Sequence, residues 1–185
     1  MDRTRQILDT AAEAFYDKGF HAVGVDELGT RAGLSGPAIY RTFSSKHEIL
    51  ATLLNEAMDG LLAAAVPVHE DPRTDLDRAL RHHVDFALHA RHLVNLYQRE
   101  VRSLPEPWKT PFDQRRAEYT ARWETLISRR VPALDPGSVA ALTQSCLGVV
   151  FSVSYWPGHA LSAADAAGVV HRMIISGVAA FDTPG

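Results

Sequence analysis

VGVDELGTRAGLSGPAIYRTFSSK, residues 23–46, reads as two short helices joined by a tight turn. Val25, Leu28 and Ala32 recur at steps of three and four, the spacing of one helix face. Asp26 and Glu27 fall in the first turn of that helix, where carboxylates suit the positive end of the dipole. Gly24 precedes it as an N-cap without a side chain to help. Gly33 ends it, because glycine accepts the left-handed backbone of a sharp exit. Leu34 fills the angle, Ser35 is placed to cap the second helix, and Pro37 fits a first turn where a missing N–H costs little. Ile39 and Phe43 point inward. Gly36, Ala38, Tyr40 and Arg41 are left outside. This is a helix-turn-helix over residues 24–43, and the outward face of its second helix is the part offered to a DNA major groove.

The flanks extend the pattern. Residues 2–18 form an amphipathic helix with Ile7, Leu8, Ala11, Ala12 and Phe15 on its inner face, stopped by Gly19. On the other side, Ser45 and Glu48 form a capping box for a long helix to about Ala65, with Ile49, Leu50, Leu53, Leu54, Ala57, Met58, Leu61 and Leu62 as its stripe. Ala14-Phe15, Gly19-Phe20, Ala32 to Ser35, Ile39 to Phe43 and Ser45 to Leu50, in this order and spacing, resemble the N-terminal domain of the tetracycline-repressor-like (TetR) family of bacterial transcription regulators. The resemblance covers roughly the first third of the chain. It implies a DNA-binding domain over residues 1–47 and a ligand-binding and dimerisation domain over 48–185. It also links Lys46, an unfavourable cation at a helix start, to a backbone phosphate. Relatives commonly carry Lys or Arg where Gly36 stands, and Ser or Thr where Gly24 and Ala38 stand, so fewer polar groups reach the groove here.

Charge gives no support of its own. The 185 residues carry a net charge of −3. In the head, Arg3, Arg5, Lys18, Arg31, Arg41 and Lys46 face Asp2, Asp9, Glu13, Asp17, Asp26, Glu27 and Glu48. Non-specific DNA binding scales with phosphates neutralised, so it is expected to be weak. Arg3 and Arg5 either reach phosphates or a minor groove, or stay solvated. The chain opens without a leader pattern and holds one cysteine, Cys146, so a cytoplasmic protein is expected.

Helical periods continue nearly to the end, giving an all-α fold of about nine helices. Pro67 to Asp75 is the one clear linker. Thr74 opens a fifth helix (Leu76, Leu80, Val84, Leu88), a break near Ala90–His92 leads to a sixth (Leu93, Tyr97, Val101), and a seventh holds Phe112, Tyr119, Trp123, Leu126 and Ile127 inside. From Pro136 to Ala164 no residue is charged other than His159 when protonated. Thr143, Gln144, Ser145, Ser152, Ser154 and the Trp156-Pro157-Gly158 break argue against a membrane span and for burial at a subunit interface. A last helix capped by Ser162 and Asp165 follows. In the TetR family the last two helices pair with their copies, which implies a homodimer interface at Val149, Ser152, Val169, Val170, Met173, Ile174 and Gly177.

No nucleophile motif, P-loop or dinucleotide fingerprint is present, so no enzyme and no cofactor is expected. His82, His83, His89 and His92 cluster, with Asp85 as a third ligand type, but wet helix-face histidines account for them and no metal site is assigned. The aromatics define the default effector site between bundle helices: Phe86, Tyr97, Trp108, Trp123, Phe151 and Tyr155, with Arg99, Glu100 or Arg102 at its mouth. Tyr97 to Leu104, Arg115-Arg116 and Tyr119 to Trp123 faintly resemble TetR-like regulators of fatty-acid and steroid catabolism. That implies a bulky, largely apolar ligand, anionic where it is of the acyl-CoA type.

The resulting expectation is a homodimeric, ligand-responsive repressor of double-stranded operator DNA, without membrane contact. Ser35, Gly36, Pro37, Ala38, Tyr40, Arg41 and Lys46 form its DNA face. Tyr40 and Lys46 hold phosphates, Arg41 reads a base or adds a phosphate, and Ala38 meets a thymine methyl. The alternative is a helical ligand- or metal-binding protein whose head does not bind DNA.

Overall fold

A computed structural model describes residues 2–182. Among them are ten α-helices and no strand: α1 (Arg3–Lys18), α2 (Val25–Arg31), α3 (Gly36–Tyr40), α4 (Lys46–Ala64), α5 (Pro72–His89), α6 (Arg91–Glu100), α7 (Lys109–Arg130), α8 (Pro136–Ser152), α9 (Gly158–Leu161) and α10 (Ala166–Ala179). The helix beyond the expected nine is the single turn α9, between the expected break at Trp156–Gly158 and the last helix.

Two compact units result, and along α4 they divide between Ala57 and Met58. The first comprises residues 1–57 and 92–114; the second comprises 58–91 and 115–185. A stretch from the middle of the chain, including α6, therefore belongs with the head.

In the first unit the apolar periods fold as read. Ile7, Leu8, Ala11, Ala12 and Phe15 are buried, and Gly19 ends α1 with φ 86°. Gly33 leaves α2 with φ 64°, the left-handed value that favours glycine. For α6 the expected face was one step out of register. Val94, Asn95, Leu96 and Glu100 are buried, while Leu93, Tyr97 and Val101 are only half-buried.

In the second unit α10 packs on α5 and α8, and α5 packs on α8. Asp71, not Thr74, starts α5. Its carboxylate accepts from the N–H groups of Arg73 and Thr74, and Pro72 fills the first helical position. The expected linker is tied down as well. Asp75, fully buried, accepts from the N–H groups of Val68 (3.0 Å) and His69 (3.1 Å), the His69 ring (2.8 Å) and the Arg129 guanidinium (2.6 Å). Burial alone would raise its pKa, but these donors hold it well below the usual carboxylate range. Along α8 and the turn after it, Pro136–Tyr155 is long and apolar enough to cross a membrane by length and composition. Val139, Thr143, Cys146, Leu147 and Val150 are nevertheless buried inside the unit.

The centre of this unit is aromatic. His83 sits on the inner stripe of α5 with Leu76, Ala79, Leu80, Val84 and Ala87. The rings of Tyr119, Trp123 and Phe151 lie 5.7, 5.6 and 5.4 Å from its own, and the Tyr119 hydroxyl is 2.8 Å from its Nδ1. Burial pushes the His83 pKa down from 6.5 to about 3.

That shift has a sign. Between those two values the unfolded chain binds the extra proton, so stability is lost as pH falls through the window. By linkage the protein is expected to lose about 2 kcal/mol between pH 7 and pH 5 at this residue alone. His83→Gln, which retains a polar group for Tyr119, should remove that part of the pH dependence in urea unfolding curves.

Candidate nucleic-acid interface

The site is built on the crossing of α2 and α3. The Leu34 N–H donates to the Gly29 carbonyl (2.8 Å), folding the turn back on α2. A Cβ at Gly29 would stand 2.9 Å from the Leu34 carbonyl oxygen and 3.3 Å from the Gly36 nitrogen. The two backbones meet at Gly29, so this position excludes any side chain. The sequence reading passed over it; a glycine inside a seven-residue helix was the available signal.

Ala38 and Ile39 turn into the unit, with Ala38 buried to 5% exposure. Its methyl is therefore core, and the expected contact with a thymine methyl is excluded in this arrangement. Ser35 precedes α3 without a capping bond, contrary to its expected role. Ser35, Pro37 and Arg41 are exposed, and Tyr40 is 56% exposed. Gly36 is half-covered, and a Cβ there would meet an Asp26 carboxylate oxygen at 2.5 Å. A long cation at position 36 would displace Asp26, which fits the glycine found here.

Lys46 has other employment than a phosphate. Its ammonium donates to the carbonyl oxygens of Phe20 (2.9 Å), Val23 (3.0 Å) and His21 (3.4 Å), and lies 4.5 Å from the centroid of the Phe20 ring. An ammonium brings three N–H donors to one point and so suits these three carbonyls, which accounts for a lysine in the first turn of α4. The capping box forms in modified shape: Ser45 Oγ accepts from the Glu48 N–H, while the Glu48 carboxylate accepts from the N–H and hydroxyl of Ser44.

The other head cations are mostly paired. Arg5 bridges Asp9 and Glu56, Lys18 meets Glu27, and Arg31 meets Glu27 and Asp17. Arg3 and Arg41 enter no ion pair among the described residues. The turn held by Lys46 is also held from α6. The Glu100 carboxylate, buried, accepts from the Phe20 N–H (3.4 Å) and the Ser103 hydroxyl (3.1 Å), and Ser103 bonds the His21 ring (3.0 Å).

Glu100 is thus committed to the head and not to the mouth of an effector cavity. The seven expected effector residues divide between the units. Tyr97, Glu100 and Trp108 belong to the first, where Tyr97 packs at 6.2 Å from Phe112. Phe86, Trp123, Phe151 and Tyr155 belong to the second. There Trp123 and Phe151 share the His83 cluster, Phe86 is half-buried, and Tyr155 is 59% exposed, outside that cluster. His83 and Tyr119 were missed as its centre, although His83 alone of the four histidines fits the α5 stripe. His82 and His89 are exposed and His92 is half-buried. Among the described residues no three His, Cys, Asp or Glu side chains converge as a metal set. Burial pushes the Cys146 thiol up to about 11, so it stays protonated at neutral pH.

The expected interface residues also divide. Val170 and Ile174 are buried within the unit, against α5 and α8, and cannot be what a second copy touches. Val169 and Met173 are about half exposed (51% and 52%), Ser152 and Gly177 are exposed, and Val149 is half-buried.

Two family models match the chain: "Bacterial regulatory proteins, tetR family" over residues 7–53, and "Tetracyclin repressor-like, C-terminal domain" over residues 69–178. The chain is 38% identical over 91 residues to the transcriptional activator FasR of Mycolicibacterium smegmatis, covering 48% of this chain and 42% of that protein. It is 25% identical over 140 residues to the transcriptional repressor KstR2 of Mycobacterium tuberculosis, covering 70% of this chain and 66% of that one. Among solved structures it resembles PfmR from Thermus thermophilus, a TetR-family regulator, with a TM-score of 0.79 and 25% identity over 92% of this chain and 97% of the other.

Removing the Lys46 ammonium leaves three turn carbonyls without their cation. Lys46→Met is expected to destabilise the protein by about 1–3 kcal/mol in urea unfolding. A loss confined to DNA affinity, with stability unchanged, would return this lysine to a phosphate-binding role.

Proposed function

Since the chain belongs to the TetR family of bacterial regulatory proteins and is a DNA-binding transcription regulator, we propose that it acts as a homodimeric, ligand-responsive repressor on a palindromic operator. One observation carries the reading. The helix-turn-helix buries Ala38 and Ile39 and leaves Ser35, Pro37, Tyr40 and Arg41 exposed, with no side-chain hydrogen bond or ion pair from Ser35, Tyr40 or Arg41 among the described residues. On a duplex, Tyr40 and Ser35 hold phosphates, the backbone at Gly36 and Pro37 comes close, and Arg41 reads a base or adds a phosphate. Named relatives act in both directions, one activator and one repressor. Repression is the simpler outcome, because occupancy of a promoter suffices for it.

Dimerisation uses the outer faces of α8 and α10. Val169, Met173 and Gly177 recur every fourth residue on α10, while Val170, Ile174 and Val178 face inward. Nothing lies within 4 Å of a Cβ built at Gly148 or Gly177, so both leave room for a second copy of the pair. A twofold axis then sets two heads about one helical turn apart on DNA. Met173→Asp is expected to convert the dimer to monomer in light scattering and to abolish operator binding. A dimer unaffected by this change and by Val169→Asp would place the interface elsewhere.

Effector binding in the second unit is proposed to reach the head through α4, whose chain runs from Lys46 in the first unit to Ala64 in the second. A coupling of about 1–3 kcal/mol is enough for regulation.

Among the described residues of the helix-turn-helix and its N-terminal arm, Arg3 and Arg41 enter no ion pair, and with these two cations from each head a dimer neutralises about four phosphates. The plot of log K against log salt should then have a slope of about −4, with Arg41→Ala lowering it by about one per head. Selection of bound duplexes should return a palindrome. Recovery of no operator would leave a second reading, a ligand-binding protein whose head does not bind DNA, which the internal pairing of Arg5, Lys18, Arg31 and Lys46 favours.

A further inference from the structure

The second unit has an interior polar group that its own fold does not use. Trp123 lies in the middle of α7 and is 1% exposed, and its indole Nε1 is buried without a hydrogen-bond partner among the described residues. Folded proteins pair nearly all such donors, because a buried N–H without an acceptor lowers stability. An apolar ring would carry no such cost, so the N–H of this indole calls for an acceptor. Its surroundings are the rings of His83 at 5.6 Å and Tyr119 at 6.3 Å, with Phe151 across His83. A second unmatched group, the Thr143 hydroxyl, is buried on α8, two turns before Phe151.

Among the described residues, the buried polar and ionisable side chains of the unit are Asp75, His83, Tyr119, Trp123, Thr143, Cys146 and Ser154. Asp75 is bound by His69 and Arg129, and Ser154 donates to the Phe151 carbonyl. The guanidinium groups of Arg78 and Arg91 donate to main-chain carbonyls, Val66 for the first and Ser154 and Trp156 for the second, with the Nε of each buried and unpartnered among the described residues. The ring at the centre of the cluster, the His83 imidazole, is kept neutral by burial. A carboxylate or phosphate entering among these rings would lose its hydration and meet no charged side chain among His83, Tyr119, Trp123 and Phe151.

We propose that the cluster of His83, Tyr119, Trp123 and Phe151 receives the uncharged, hydrogen-bond-accepting end of an otherwise apolar effector, a carbonyl of the ketone, ester or thioester type, with the Trp123 N–H as its donor. This rests on the second unit being the effector-binding domain and adds the chemistry of the polar end. Any anionic part of the ligand stays outside this cluster.

The test compares two probes of one chain length, 2-decanone and decanoate, by calorimetric titration of the full-length protein at pH 7.5 without DNA. The ketone is expected to bind at least about tenfold more tightly, and Trp123→Phe to weaken the ketone about fivefold, the worth of one hydrogen bond, while leaving decanoate unchanged. Should that variant fail to fold, wild-type protein labelled with nitrogen-15 replaces it. The chain has three tryptophans, and Trp108→Phe and Trp156→Phe identify the Trp123 indole signal, which the ketone should shift. Decanoate binding as tightly as the ketone, no binding of either probe, or an unmoved Trp123 signal overturns the proposal. Ketone binding by a protein that protects no operator would sink the DNA-binding reading alone.

Discussion

Lys46 is one ammonium group facing three backbone carbonyls, and the head depends on that arrangement. The turn between α1 and α2 has carbonyls at Phe20, His21 and Val23 that no helix or strand satisfies. Left unpaired, the part-buried carbonyls of Phe20 and Val23 would oppose folding. The lysine at the start of α4 satisfies them together, while the Phe20 ring beneath it packs on Phe15 at 5.1 Å and His47 at 5.1 Å. Glu100 takes the Phe20 N–H from the other side. One short turn thus ties α1, α2, α4 and α6 into a unit and fixes the angle at which α3 is presented.

The same economy of charge explains why the head looks poorly suited to DNA. Most of its cations are used to hold it together. Around α3, Ser35, Tyr40 and Arg41 stay exposed. Under the proposed function such a surface owes little to bulk electrostatics, and selectivity then rests on fit, including the shape of the DNA itself. The Asp26 carboxylate beside Gly36 adds a negative charge to this surface.

The second unit solves a different problem. Its helices carry their charges at the edges, as in the Asp75 cluster with His69 and Arg129, and keep the centre aromatic and neutral. A neutral imidazole among aromatic rings keeps shape and hydrogen bonding without bringing a charge inside. On its outer face α10 shows Val169 and Met173 half exposed beside the charged Arg172, while Val170, Ile174 and Val178 are packed inside.

Local physical chemistry determined the all-α class, the helix-turn-helix, the ends of α1 and α2 at Gly19 and Gly33, the break at Ala90 and the inner face of α7. Each of these depends on residues within a few positions of one another, through periodicity, caps and glycine backbone freedom. Only the tertiary structure decided what Lys46, Ala38, Glu100 and His83 do. Lys46 meets a carbonyl 26 residues away and Glu100 an N–H 80 residues away, and no pattern in sequence reports a partner at that distance. Ala38 and His83 were misread for a related reason. On a short helix, or beside a like neighbour, one step of register turns a side chain from solvent to core, and the packing of the rest of the chain sets the register.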